Sequence, residues 1–425
     1  MRQLSIPALT FVIAFLVRAA AILIWPHAFQ FDAYQRWAGR DHLFIQVWLP
    51  ATQLVVWICG KLGMSIFGVR FVFAAIGSLS LAIASALLER LGGRMAAWLF
   101  LPMCFFGPFL VWSTSPYQES TLLTVLFFGL LLSDLKPQLS DWVMGALAMV
   151  RYEGWPLIIA HVFFRRSWSA LIAFWGCAFL GVLYACDWVH PYQASPDSFA
   201  DWNDLSGNLK PRIVSFVAYR LGVITEFSGT QWLLLGVLFF PWLKNKSNVH
   251  WMLLFTVIGQ ICATVGWALS LGVAFSRMMI TIAIPASMLA VLFLAQLWPR
   301  WARWKRILLG IGLVAWTCWT LRDAHVDYKS YSKSLRFEVD LIDLMKRCPN
   351  DFWGIDPRKH PGKRNRHDGC EVIQGLSEFR AGFDYSCMIW SGPTRPLTLR
   401  ASWSEDDRTY HIRRIDGAAS GGCPY

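Results

Sequence analysis

The sequence predicts an all-α polytopic membrane protein of roughly ten spans, some of them broken or re-entrant, with a small C-terminal extramembrane α/β domain. Three observations carry that expectation. Of the 425 residues, 56% are hydrophobic and only 16% are charged, against about 25% charged in a soluble globular protein. Apolar runs long enough to cross a bilayer recur through the first 321 residues. Short basic clusters punctuate those runs. The 24 Trp and 30 Phe suit a protein with wide aromatic belts at the membrane interface.

Taken in chain order, span-length runs lie near 4–25, 69–88, 94–113, 118–133, 168–187, 249–271, 278–298 and 304–321. The first run is too long for a signal-peptide core and has no small-residue cleavage site, so it reads as a first span. Three stretches are irregular. Residues 47–67 are apolar but interrupted by Pro50 and Gly60. Residues 142–164 carry Arg151, Tyr152 and Glu153 inside an otherwise apolar run. Residues 213–243 contain Arg220 and Glu226 and read as an interfacial helix followed by a span near 230–243.

Loop charge sets the expected orientation. The clusters "ERLGGR" (89–94), "FFRR" (163–166), "KNK" (244–246) and "PRWARWKR" (299–306) belong on the cytoplasmic side. The N-terminus is then cytoplasmic, and loops 26–46 and 187–212 are exoplasmic. That scheme alternates only if 47–67 dips without crossing and 142–164 enters and leaves by one side. The net charge is +12, and most of it lies before residue 322. It reflects loops facing anionic membrane lipid rather than nucleic-acid binding.

Residues 322–425 are polar and nearly neutral. They open on a helix-like segment at 332–348, and "TRPLTLRASW" and "RTYHIRRI" alternate as strands do. The division expected is a membrane domain, 1–321, and an exoplasmic domain, 322–425. Cys348, Cys370, Cys387 and Cys423 all lie in the tail, where two disulfides are possible in an oxidising compartment. A zinc site at His367 and Cys370 is the weaker alternative, because no CxxC pair supports it. The other six cysteines fall in or beside apolar runs and read as small buried side chains.

Ionisable groups inside a membrane are costly and mark function by default. The candidates are Glu119, Arg151, Glu153, Arg220, Glu226 and Arg277. Arg18 reads instead as a snorkelling residue of the first span. Arg151 and Glu153 are two apart and share no face of a regular helix. They can act together only if the helix breaks near Gly154 and Pro156. The bland reading is that each pairs with another buried charge, Glu119 with Arg151 for example. Glu119 opens a helix, where an acid gains from the dipole, so capping is its bland reading. Asp32, in the loop after the first span, is the candidate general base; helix capping is its alternative. The acidic and aromatic residues of 187–212 form a reasonable sugar-binding surface or an ordinary solvated loop.

In order, "FDAYQRWAGRD", "VWLPATQLVVWICGKLG", "SPYQESTLLTVLFFGLLL", "GALAMVRYEGWPLII" and "SRMMITIAIPASMLA" resemble the GT-C membrane glycosyltransferases. That group includes protein O-mannosyltransferases, GPI mannosyltransferases and aminoarabinose transferases. The resemblance covers about residues 1–300. It implies a helical bundle that moves a sugar, a hexose such as mannose, from a polyprenyl- or dolichyl-phosphate carrier to a glycan, lipid or protein acceptor on the exoplasmic side. The membrane would be a bacterial inner membrane or that of the endoplasmic reticulum. Asp32 would be the base, with Asp41 sharing its role, since Ala33 stands where many relatives carry a second acid. Arg277, with Arg151, would neutralise the leaving lipid phosphate. Glu119 and Glu153 would orient these cations or the sugar, and Tyr152 and Arg220 complete the candidate substrate-binding set. No cofactor is expected; the first loop has no DxD motif, which weakens a divalent-metal requirement. A transporter or flippase is the rival from another class, although no paired halves are visible. A non-catalytic membrane subunit that uses the tail to bind a partner is the second rival.

Overall fold

A computed structural model describes residues 5–26, 28, 33, 36, 37, 40, 43, 49–186, 229–271 and 279–347, and short strands in the tail. Asp32, Asp41, Arg220, Glu226, Arg277, the whole of loop 187–212 and the four tail cysteines lie outside the described residues. Among the described residues, five helical stretches are long and apolar enough to cross a membrane: Ile6–Ile24, Ile66–Phe105, Gln118–Leu135, Ile280–Arg300 and Arg303–Lys329. This is a multi-pass membrane protein by length and composition. Shorter apolar helices run Trp168–Leu183, Thr230–Trp242 and Asn248–Thr264.

Contacts divide the chain into two units, Met1–Ile24 with His42–Asp327, and Trp25–Asp41 with Tyr328–Tyr425. In the first unit, α1 is Ile6–Ile24 and α2 is Pro50–Lys61. At twelve residues, α2 rises about 18 Å, well short of a hydrocarbon core of about 30 Å. Ser65 caps α3, Ile66–Phe100, by accepting the Gly68 amide at 3.3 Å.

A non-helical residue, Gly93 at φ 75° and ψ 179°, interrupts α3. The chain reverses there. The Thr10 hydroxyl bonds Ser85 Oγ at 3.2 Å, and Cys104 Sγ donates to the Thr10 carbonyl at 3.6 Å. A Cβ on Gly77 would lie 2.5 Å from that of Ser113. Residues before and after Gly93 are therefore side by side, as the two separate runs 69–88 and 94–113 require. A 3-10 turn, Leu101–Phe105, leads to α4, Gly107–Trp112.

Next, α5 is Gln118–Leu135 and α6 is Pro137–Gly145. After the break described below, α7 is Trp155–Arg165 and α8 is Trp175–Ala185. The segment expected to span near 230–243 is only the short α9, Thr230–Phe239, with a 3-10 turn to Trp242. Two longer helices follow, α10, Asn248–Leu271, and α11, Ile280–Leu297. The centre of the unit is α11: every residue from Ile280 to Leu292 is buried. Its neighbour α9 comes so close that a Cβ on Gly236 would meet the Ala286 carbonyl at 2.2 Å.

The last helix, α12, is continuous from Arg303 to Arg347. The helix foreseen at 332–348 is thus no separate element but an extension of the last apolar one. Its apolar part is only 11% buried and turns Trp304, Ile307, Leu308, Ile311 and Val314 outward, as a lipid-facing helix must. Exposure also corrects the reading of the cysteines. Cys59 and Cys104 are buried, but Cys186, Cys262 and Cys318 are exposed.

In the second unit, the Trp25 ring stacks on Tyr328 at 4.8 Å, and Arg36 and Trp37 are buried. Strands β1 (Phe352–Ile355), β2 (Thr398–Leu399) and β5 (Ile412–Ile415) pair antiparallel in the order β1-β5-β2, and β3 (Ser404–Glu405) pairs with β4 (Arg408–Thr409).

Candidate functional site: a buried ion cluster at the tip of a helical hairpin

The irregular stretch at 142–164 folds as a hairpin. Its first arm is α6 and a 3-10 turn, Ala146–Met149. Arg151 is extended, at φ −151° and ψ 149°, and the turn Tyr152–Gly154 leads into the second arm, α7, which has Pro156 in its first turn. The helix therefore opens at Arg151, ahead of the Gly154 and Pro156 that the sequence marks. Gly154 is nonetheless required, since a Cβ there would lie 2.6 Å from the Leu147 carbonyl. The Trp155 indole donates to the Ala148 carbonyl at 3.3 Å. Further from the tip, Asp141 on α6 meets His161 Nε2 at 2.8 Å and Arg165 Nε at 3.3 Å on α7. The arms are thus clasped at both ends.

Extended backbone at Arg151 removes the helical constraint on residues two apart. Arg151 Nε and Nη2 donate to Glu153 Oε2 and Oε1 at 3.0 and 2.7 Å, a two-pronged pair. Arg151 Nη1 donates to Glu119 Oε1. All three residues are buried, at 7%, 8% and 1% exposure for Arg151, Glu153 and Glu119. Gln260 of α10 donates to the Glu153 carbonyl at 3.3 Å and accepts from the Thr281 hydroxyl of α11 at 2.9 Å. Tyr152 lies half-buried, edge-on to Trp155 at 5.7 Å.

A second polar group supports the helix that presents Glu119. Arg18 is fully buried and does not snorkel. Its Nε donates to Ser113 Oγ at 2.7 Å and its Nη1 to the Ala14 carbonyl at 3.1 Å. Fully buried Arg70 donates from Nε to the Thr114 carbonyl at 3.0 Å. Two arginines from α1 and α3 therefore fix the turn that opens α5. Gly77 leaves room for Ser113, as noted above.

The depth of the cluster follows from helix rise. Asp134, at the far end of α5, meets Arg90 at 3.8 Å, beside the reversal at Gly93. From there to Glu119 the helix rises about 22 Å, and the first hairpin arm, Pro137 to Met149, rises about 20 Å. The cluster thus sits deep along the bundle, away from the end that carries Arg90, Arg165 and Arg166.

Sequence reasoning singled out Glu119, Arg151, Tyr152 and Glu153, and the fold brings the three charges into contact, Glu119 pairing with Arg151 as the bland reading expects. Asp32, Asp41, Arg220 and Arg277 lie outside the described residues. Reasoning from sequence missed Arg70 and Gln260 and misread Arg18. Among the described residues, no group of three or more His, Cys, Asp or Glu is set to hold a metal ion. No family model matches the chain, and no curated protein matches it.

Proposed function

We propose that this protein is a membrane glycosyltransferase that moves a hexose from a polyprenyl-phosphate carrier to a hydroxyl acceptor on the exoplasmic side. The observation that supports it is the Glu119–Arg151–Glu153 cluster at the tip of a broken helical hairpin. Breaking a helix deep in an apolar bundle is tolerated only where protein covers the freed backbone or a wet cavity receives it, and charges there mark function by default. Carboxylates accept hydrogen bonds from sugar hydroxyls, so a site that gathers two of them suits a polyhydroxyl ligand.

That pairing also divides the roles. Two carboxylates already surround Arg151, so we assign it to hold Glu119 and Glu153 in place. Arg277, helped by Arg220, would face the lipid phosphate, where negative charge grows as the bond breaks. Asp32, with Asp41 beside it in the first loop, would take the acceptor proton. The new bond joins the acceptor oxygen to the sugar anomeric carbon. The bond that breaks joins that carbon to the phosphate oxygen, which leaves with the electron pair as polyprenyl phosphate. The tail, 322–425, would form a small α/β domain on the same side. No metal enters this scheme.

The test is transfer of labelled hexose from a polyprenyl-phosphate carrier in membranes enriched in the protein. Asp32→Asn should abolish transfer while donor binding persists. Transfer at an undiminished rate in that variant would remove Asp32 as the base. A broken helix with an ion cluster also suits a transporter or flippase. In that case the lipid-linked sugar would cross proteoliposome membranes intact, with no hexose released to any acceptor.

A further inference from the structure

Four separate basic loops meet at one end of the first unit. The reversal of α3 touches α11 near its end, where a Cβ on Gly92 would lie 2.7 Å from Leu292 Cδ2. The Lys244 amide donates to Gln296 Oε1 at 3.2 Å, which brings the loop after α9 to the same place. Asn248 Nδ2 donates to the Phe164 carbonyl at 3.0 Å, which joins that loop to the end of α7. The chain leaves α11 directly through Trp298–Arg306.

The chemistry of this end is uniform. Arg166, Lys244, Arg300 and Arg303 are exposed, and among the described residues none stands within ion-pair reach of a carboxylate. Residues 163–168, 242–248 and 298–306 contain no Asp or Glu at all. The carboxylates on the adjoining helices are already engaged: Glu89 faces Arg94 at 4.0 Å, Asp134 faces Arg90, and Asp141 faces Arg165. Large tryptophans stand outward among the bases, Trp168 at 88%, Trp242 at 64% and Trp304 at 58% exposure.

We propose that this end is a binding surface for anionic phospholipid headgroups, seated where the end of α7 meets the loop that joins α9 to α10. Exposed indoles place the surface at headgroup depth. Unneutralised cations at that depth attract anionic lipid. The proposal is independent of the sugar-transfer reading.

The experiment uses the full chain reconstituted in phosphatidylcholine vesicles containing a minority of phosphatidylglycerol. Spin-labelled versions of each lipid report which is immobilised at the protein surface. Phosphatidylglycerol should be preferred by about fivefold or more, and the preference should fall as salt rises. The combined variant Arg166→Gln, Lys244→Gln, Arg303→Gln should lose most of the preference. The charge-keeping variant Arg166→Lys, Lys244→Arg, Arg303→Lys should retain it and guards against misfolding as the cause. Inorganic phosphate, added in excess at constant ionic strength, should not displace the lipid; displacement would identify a free-phosphate site and overturn the lipid assignment. Equal immobilisation of the two lipids in the unaltered protein, or an unchanged preference in the glutamine variant that folds, would also overturn it.

Discussion

At the scale of single residues, the Glu119–Arg151–Glu153 cluster is an all-or-none arrangement. A buried charge that loses its partner costs far more than the pair gains. Arg151→Ala would leave two buried carboxylates facing each other and should destabilise the protein by about 3–5 kcal/mol, read from unfolding in detergent. Glu153→Gln keeps the Glu119 partner and an acceptor oxygen, so its cost should be clearly smaller. Because the residues share contacts, the effects of Arg151→Ala and Glu153→Gln should not add; additive effects would mean that the pairing contributes little. Arg151 and Glu153 are legible in the sequence because charge within an apolar run is itself the signal. Arg18 is equally charged and equally placed, yet its destination depends on Ser113, far away in the chain, and no local pattern announces that partner. Gln260 and Arg70 are hidden for the same reason, since the groups they bond, Glu153, Thr281 and Thr114, lie on other segments.

At the scale of elements, two features decide how the chain is cut into helices. Gly93 adopts φ 75° and ψ 179°, and a Cβ there would meet nothing within 4 Å. Any cost of Gly93→Ala is therefore backbone strain alone, expected at about 1–3 kcal/mol. Unfolding in detergent measures it, and a neutral substitution would show that the reversal does not need this conformation. The reversal is legible, because "ERLGGR" is a polar, glycine-bearing break between two apolar runs. The continuity of α12 is not. Its polar stretch after Trp319 reads as a boundary by hydropathy, yet there is no Gly or Pro between Gly312 and Pro349, so nothing in the backbone stops the helix. Hydropathy reports where a helix leaves the membrane, and only breaker residues or lost packing report where it ends. The hairpin at 142–164 shows the converse. Its charges and its Gly154-Trp155-Pro156 sequence announce a break, but the position of the extended residue, Arg151, is set by its pairing with Glu119 on another helix.

At the scale of the whole membrane unit, contacts among α1, α3 and α11 fix relative direction, and charge then fixes sidedness. Thr10 pairs with Ser85 near the reversal, while Arg18 meets Ser113 near the other end. The N-terminus of α1 is thus at the basic end and Ile24 at the far end. The basic end should face the cytoplasm, which places the entry to the loop after α1 on the exoplasmic side, as the proposed chemistry needs. Single-cysteine variants test this in a background whose native cysteines are serine. Asn245→Cys and Arg303→Cys should both react with a membrane-impermeant maleimide from the cytoplasmic side. Leu62→Cys, exposed just before the start of α3, should react only from the opposite side, because the helix from Ile66 to Arg90 rises about 36 Å and crosses a hydrocarbon core of about 30 Å. Reaction of Leu62→Cys and Asn245→Cys from the same side would break the directional argument. Reaction of all three on inverted sides would keep the fold but move the ion cluster to the cytoplasmic half, where a transfer reaction with Asp32 as base would have to be abandoned.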